Sequence, residues 1–115
     1  MPQPHFFDSA EIEWTPHPTI QGIVTKPFET KATYPAASVQ LVQVAVGGVI
    51  GLHTHAVETE TAYVLSGEGL FTFDGDPHVI TADAGVTIPP GIAHTVRNTG
   101  DVPLEIYAVH IPPVR

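Results

Sequence analysis

Proline and glycine interrupt this chain so often that long helices have no room to form. Twelve prolines and ten glycines are spread along 115 residues. Proline lacks the N–H a helix interior needs, and glycine leaves the backbone too free to hold one. Between these breaks lie short runs rich in Val, Ile, Thr, Tyr and Phe: 19–25, 38–46, 61–65, 70–73, 78–81, 86–88, 93–97 and 104–111. Such residues fit a pleated, half-buried surface, so the runs predict eight or more short strands and an all-β sandwich or barrel. The segments Ser66-Gly67-Glu68-Gly69, Asp74-Gly75-Asp76-Pro77 and Asn98-Thr99-Gly100-Asp101 predict hairpin connections.

The length suits one domain, with 1–18 expected as an irregular N-terminal arm or edge strand and 19–115 as a single barrel. The arm carries Pro2, Pro4, Pro16 and Pro18 among acidic residues. Four basic residues against twelve acidic ones, a formal charge of -8, would repel a phosphate backbone and exclude nucleic acid as a partner. No apolar run is long enough to span a bilayer, and the start lacks the basic-then-apolar order of a signal peptide, so a cytoplasmic protein without membrane partners is expected. With no cysteine in the chain, disulfides, thiolate metal sites and cysteine nucleophiles drop out. Any metal must be held by imidazole and carboxylate.

Chemistry concentrates in Gly51-Leu-His-Thr-His-Ala-Val-Glu-Thr-Glu60. His53 and His55 are two apart in a segment of strand character, where period-two alternation puts both rings on one face. A turn then brings the chain back into a strand at Glu60, with Ala62 and Val64 as small apolar neighbours suited to a barrel interior. Imidazole with carboxylate suits Mn, Fe, Ni, Cu or Zn better than Ca or Mg. By itself His-x-His fits equally well two histidines on a half-exposed strand. A second stretch, Ile88-Pro-Pro-Gly-Ile-Ala-His94, adds another imidazole at a strand start, behind a rigid Pro-Pro-Gly turn.

Together these stretches resemble the two motifs of the cupin superfamily. Gly47, His53, His55, Glu60 and Gly67 match the first motif (47–67) at every step, and Pro89, Gly91, His94 and Asn98 match the second (83–98), with fifteen residues between them. The resemblance covers roughly residues 38–111. It departs at Asp83, where the second motif begins with glycine, which puts the local turn in question but touches no ligand position. The resemblance implies a single cupin barrel, a double-stranded β-helix or jelly roll. It also implies one divalent transition metal (Fe, Mn, Zn or Ni) on His53, His55, Glu60 and His94, with two coordination positions left open for chemistry.

Other residues have weaker claims. Glu58 rivals Glu60 only if the loop is shorter than the family spacing. His110 falls in the last strand on the same face as Ile106 and Ala108; facing inward it is a candidate catalytic base or substrate-orienting group, and otherwise a hydrogen-bonded strand histidine. Gln40 and Gln43 point to opposite faces, so one of them should point inward, whereas Tyr63 and Arg97 belong to the outer face or rim. Phe6, Phe7, Trp14, Phe28, Tyr34, Phe71, Phe73 and Tyr107 are expected in core or interface. The expected activity is that of a metal-dependent enzyme on a small oxygen-rich substrate, of dioxygenase, isomerase or lyase type. The alternative is a non-enzymatic module that binds a metal or small ligand. A homodimer is expected, the arm adding a strand to a neighbour's sheet edge.

Overall fold

A computed structural model describes residues 3–115; the first two residues of the expected arm lie outside the described residues. Among the described residues ten strands form: β1 Thr15–Pro16, β2 Ile23–Glu29, β3 Ser38–Val44, β4 Val49–His53, β5 Thr59–Ser66, β6 Glu68–Phe73, β7 Asp76–Thr81, β8 Gly85–Ile88, β9 His94–Asn98 and β10 Leu104–Ile111. The only helical element among the described residues is one 3-10 turn, Ser9–Glu11, capped by the Asp8 side chain. No described helix is long and apolar enough to cross a membrane.

The strands make two antiparallel sheets. One has the order β1-β2-β3-β10-β5-β8 and the other β4-β9-β6-β7. Alternation along β10 shows how the sequence builds this: Leu104, Ile106, Ala108 and His110 are buried, while the residues between them are less so. Val42, Val44, Ala62 and Val64 from the neighbouring strands join them, and Phe71, Ile80 and Val96 close the core from the opposite sheet. The result is the expected all-β fold, two sheets packed face to face in jelly-roll fashion.

Of the three expected hairpins, only Asp74-Gly75 is one: it joins β6 to β7, with Phe73 opposite Asp76. Both turn residues adopt positive φ, the geometry of a tight two-residue turn. The Ser66–Gly69 and Asn98–Asp101 segments instead carry the chain from one sheet to the other, because β5 and β10 belong to the six-stranded sheet and β6 and β9 to the four-stranded one. Turn chemistry cannot tell a hairpin from a crossing, since both need the same sharp bend. At the first crossing Gly67 has φ 83°, and a Cβ there would sit 2.8 Å from the Pro103 carbonyl oxygen.

Two further expectations shift. The first predicted strand, 19–25, is β2, which starts at Ile23, four residues later, and runs on through Pro27, where the ladder with β3 slips between Pro27 and Glu29. A bulge is where a strand tolerates a residue without an N–H. The N-terminal segment lies on its own sheet: β1 pairs with β2, Phe7 stacks on Phe28 at 4.5 Å, and Lys26 Nζ donates to the Ser9 carbonyl at 2.7 Å beside the Trp14 ring. Of the eight aromatic residues expected in core or interface, Phe28 and Phe71 are buried, while Phe6, Phe7, Tyr34 and Tyr107 are exposed.

A candidate metal centre between the sheets

Two cross-strand pairs, one from each sheet, frame the site. In the four-stranded sheet His53 of β4 lies opposite His94 of β9, their ring centroids 4.0 Å apart. In the six-stranded sheet Glu60 of β5 lies opposite His110 of β10. His55 completes the group from the loop between β4 and β5, because β4 ends at His53. Period-two alternation therefore does not place this ring. The Pro89-Pro90-Gly91 turn does, with the Gly91 N–H donating to the His55 carbonyl at 2.8 Å. One ligand atom each from His53, His55, Glu60 and His94 can be chosen so that all lie within 4.8 Å of one another. Glu58, the weighed rival, stays outside this group.

Hydrogen bonds set the ring tautomers. His53 Nδ1 is 2.8 Å from the Gly51 carbonyl oxygen, and His94 Nδ1 is 2.9 Å from that of Ile92. A carbonyl only accepts, so each Nδ1 carries a proton, and in the neutral ring each Nε2 presents a bare lone pair. His110 Nε2 donates to Glu60 Oε1 at 3.0 Å. The chain before His94 is held by Asp74, whose backbone N–H donates to the Ala93 carbonyl at 2.8 Å while its side chain accepts from the Ala93 N–H at 3.1 Å. Nothing in the sequence pattern marked Asp74 for this task.

The electrostatics follow from burial and proximity. Burial pushes the Glu60 carboxyl up, but the hydrogen bond from His110 and the His94 ring 3.6 Å away outweigh it and hold the group well below the usual carboxylate range. Burial lowers His55, with the Glu60 carboxylate only partly opposing it. In His94 burial also acts downward, yet Glu60 and the Ile92 carbonyl prevail and raise it.

Three buried nitrogens, His55 Nε2, His94 Nε2 and His110 Nδ1, have no hydrogen-bond partner among the described residues. His55 Nε2 comes within 3.3 Å of Glu60 Oε1 without the geometry of a hydrogen bond. Buried polar atoms are rarely left so. Bare imidazole nitrogens converging on an ionised carboxylate are the donor set a divalent transition ion takes, so the residues fit such a metal.

The cluster lies at the wall of a cavity of about 930 Å³, lined on its apolar side by Ile50, Ala62, Phe71, Val96 and Ile106. His110 lines it too, on the inward face with Ile106 and Ala108, and of the two glutamines it is Gln40 that reaches it. Tyr63 and Arg97 are exposed. Arg115 and Thr25 also line the cavity. Their sequence neighbourhoods carry no signal for this, since only the fold brings them beside the motifs.

A cupin-domain family model matches residues 40–110. An oxalate-binding protein of Thermotoga maritima is 40% identical over 65 residues, 56% of this chain and 54% of that protein. An uncharacterized protein of Methanocaldococcus jannaschii is 37% identical over 70 residues, 61% of this chain and 56% of that protein. The chain thus spans little more than half the length of these curated relatives. Among solved structures, a predicted oxalate decarboxylase of Thermotoga maritima superposes with a TM-score of 0.85 at 29% identity, covering 94% of this chain and 99% of that one. An RmlC-like cupin of Shewanella frigidimarina superposes at 0.84 with 18% identity, covering 98% and 95%, a likeness of fold alone.

Proposed function

This chain belongs to the cupin-domain family, and we propose that its His53, His55, Glu60 and His94 hold one divalent transition metal that serves an enzyme acting on a small, oxygen-rich acid. The observation that carries this reading is the pair of buried, bare nitrogens, His55 Nε2 and His94 Nε2, aimed at one carboxylate beside an open cavity. These three imidazoles and one carboxylate would hold the ion, which would supply Lewis-acid polarisation of a chelating substrate's oxygens. Fe, Mn, Zn and Ni all accept these donors. The Thermotoga maritima proteins named for oxalate support a substrate with adjacent oxygen donors, and a lyase, isomerase or dioxygenase reaction fits such a site.

The chain's own residues do the positioning. The Gly51 and Ile92 carbonyls fix two rings in the tautomer that leaves Nε2 free. His110 steadies Glu60 as an outer partner, the arrangement that orients ligands at metal sites. The apolar lining keeps water sparse around whatever binds, so polar interactions there are stronger than at the surface.

A second reading, a module that binds a ligand without turning it over, draws support from one observation. His110, the further acid-base candidate, has its Nε2 committed to Glu60. Elemental analysis of tag-free protein, repeated on His53→Ala and His94→Ala, tests the centre; full metal stoichiometry in both variants would sink it. Offering the metal-loaded protein keto acids, diketones, uronates and oxalate, with and without oxygen, separates the readings. Turnover establishes the enzyme, and saturable binding without turnover establishes the module.

The arm at 1–18, the barrel at 19–115, the cytoplasmic setting and the homodimer belong to the same proposal. The cross-strand pair Tyr63 and Tyr107, exposed together with Leu65, offers an apolar surface for a second copy. A monomer by light scattering at working concentration would remove the dimer.

A further inference from the structure

Arg115 shares the cavity wall with the metal-ligand cluster, Thr25 and Gln40. Its Nη1 donates to Thr25 Oγ1 at 3.0 Å and to Gln40 Oε1 at 2.6 Å. Those two bonds use both hydrogens of Nη1. Nε and Nη2, the edge with which guanidinium grips a carboxylate through two parallel bonds, have no partner among the described residues. Every ion pair among the described residues uses a histidine, and none uses Arg115. That is notable in a chain with twelve acidic and four basic residues. The one acidic residue lining the same cavity, Glu60, already takes the hydrogen bond of His110.

A guanidinium whose orientation is set by two neutral acceptors, and whose charge meets no counter-ion, is prepared for an anion from outside. Building on the metal reading above, we propose that Arg115, steadied by Thr25 and Gln40, recognises a carboxylate at the far end of the substrate from the atoms that chelate the metal.

Sheet register sets the length of that substrate. Glu60 lies opposite His110, and Gln40 lies opposite Ala108 on the other side of β10. Gln40 is thus two strands across from Glu60 and two residues along, about 12 Å at the usual strand spacings. Oxalate, with two carbons, cannot occupy the metal and reach the guanidinium together. An acid of about six carbons can. The cavity of about 930 Å³ has room for such an acid. Arg115 therefore separates this chain's preference from what the names of its oxalate relatives suggest.

A matched pair of probes tests this. 2-Oxoadipate and 2-oxohexanoate share a chelating head and a chain length and differ in ending with a carboxylate or a methyl group. Their affinities are measured by calorimetry on Mn(II)-loaded wild type, Arg115→Gln, Arg115→Lys and Gln40→Leu, with Mn(II) stoichiometry and a melting curve recorded for each. The wild type is expected to bind 2-oxoadipate at least about tenfold more tightly. Arg115→Gln should abolish that preference while leaving 2-oxohexanoate unaffected, and Arg115→Lys and Gln40→Leu should each narrow it. A wild type without the preference, a preference that survives in Arg115→Gln, or metal-loaded protein that binds neither acid overturns the inference and leaves the metal centre standing. Protein that takes up none of Mn(II), Fe(II), Zn(II) and Ni(II) overturns the metal reading first, and the inference with it.

Discussion

Replacing Asn98 by alanine should remove a large share of the stability of this fold without touching the metal centre. Asn98 closes the second motif at the end of β9 and is 3% exposed. Its amide donates to the Val44 carbonyl at 3.0 Å and the Val102 carbonyl at 2.9 Å, and its Oδ1 accepts from the Gly100 N–H at 2.9 Å. One side chain thus ties β9 in one sheet to β3 in the other and pins the crossing that follows. Three bonds, one buried and two partly buried, at about 1 to 1.5 kcal/mol each amount to about 3 to 4.5 kcal/mol. Truncation also strands two carbonyls and an N–H where water has little access. Against a total of roughly 5–15 kcal/mol for a domain, the urea midpoint should fall by about 2 M at an m-value near 1.5–2 kcal/mol/M. The melting temperature should fall by roughly 12–18 °C. Asn98→Asp keeps the acceptor for Gly100 but aims a carboxylate at two carbonyl oxygens. It should cost more than alanine at neutral pH and recover in part as pH falls, because protonation restores one donor. Urea titrations of wild type and both variants, read by tryptophan fluorescence and circular dichroism, measure this directly. A loss under about 1 kcal/mol for Asn98→Ala with an unchanged m-value would refute the reasoning, showing that the crossing holds without its tie.

Three further outcomes are expected. Gly85→Ala would place a Cβ 2.4 Å from the Ala62 carbonyl oxygen, against backbone that cannot swing away; β8 must shift from β5, at a cost of about 2 kcal/mol or more by denaturant titration, and a neutral result would mean the strands part easily. His110→Leu deprives Glu60 of its hydrogen-bond donor and should weaken metal affinity by roughly 10–100-fold, measured by competition with a chromophoric chelator; His110→Gln, which keeps a donor, should recover much of it, and equal affinity in all three proteins would remove His110 as a positioning residue. Stripping the metal with a strong chelator should lower the melting temperature, by an amount that grows with the metal concentration used in the loaded reference as mass action requires; coincident melting curves would show that no metal is linked to folding.

Much of this protein was legible before folding. The motif spacing singled out His53, His55, Glu60 and His94, and these four do converge. The alternation in 104–111 described β10 to the residue. Asp83, expected as the awkward position of the second motif, adopts φ 72° where glycine would sit most easily, and its carboxylate accepts from the Tyr63 hydroxyl at 3.1 Å. Less legible was how His55 is placed, since it lies beyond the strand that was to carry it and depends on a turn some 35 residues later. The two crossings read as hairpins failed for a related reason: local turn chemistry reports a bend and not the destination of the strand that leaves it.

What the sequence by itself determined is therefore local and chemical. Proline and glycine excluded helices, alternation chose the buried faces, and the absence of cysteine limited any metal to imidazole and carboxylate ligands. What only the tertiary structure decided is which distant residues share a wall. The antiparallel order of β5, β10 and β3 sets Glu60 beside His110 and Gln40 two strands away, and Arg115 meets Thr25 across 90 residues of chain. Such neighbours are fixed by sheet pairing and core packing, which are set by the whole chain at once, so no window of sequence contains them.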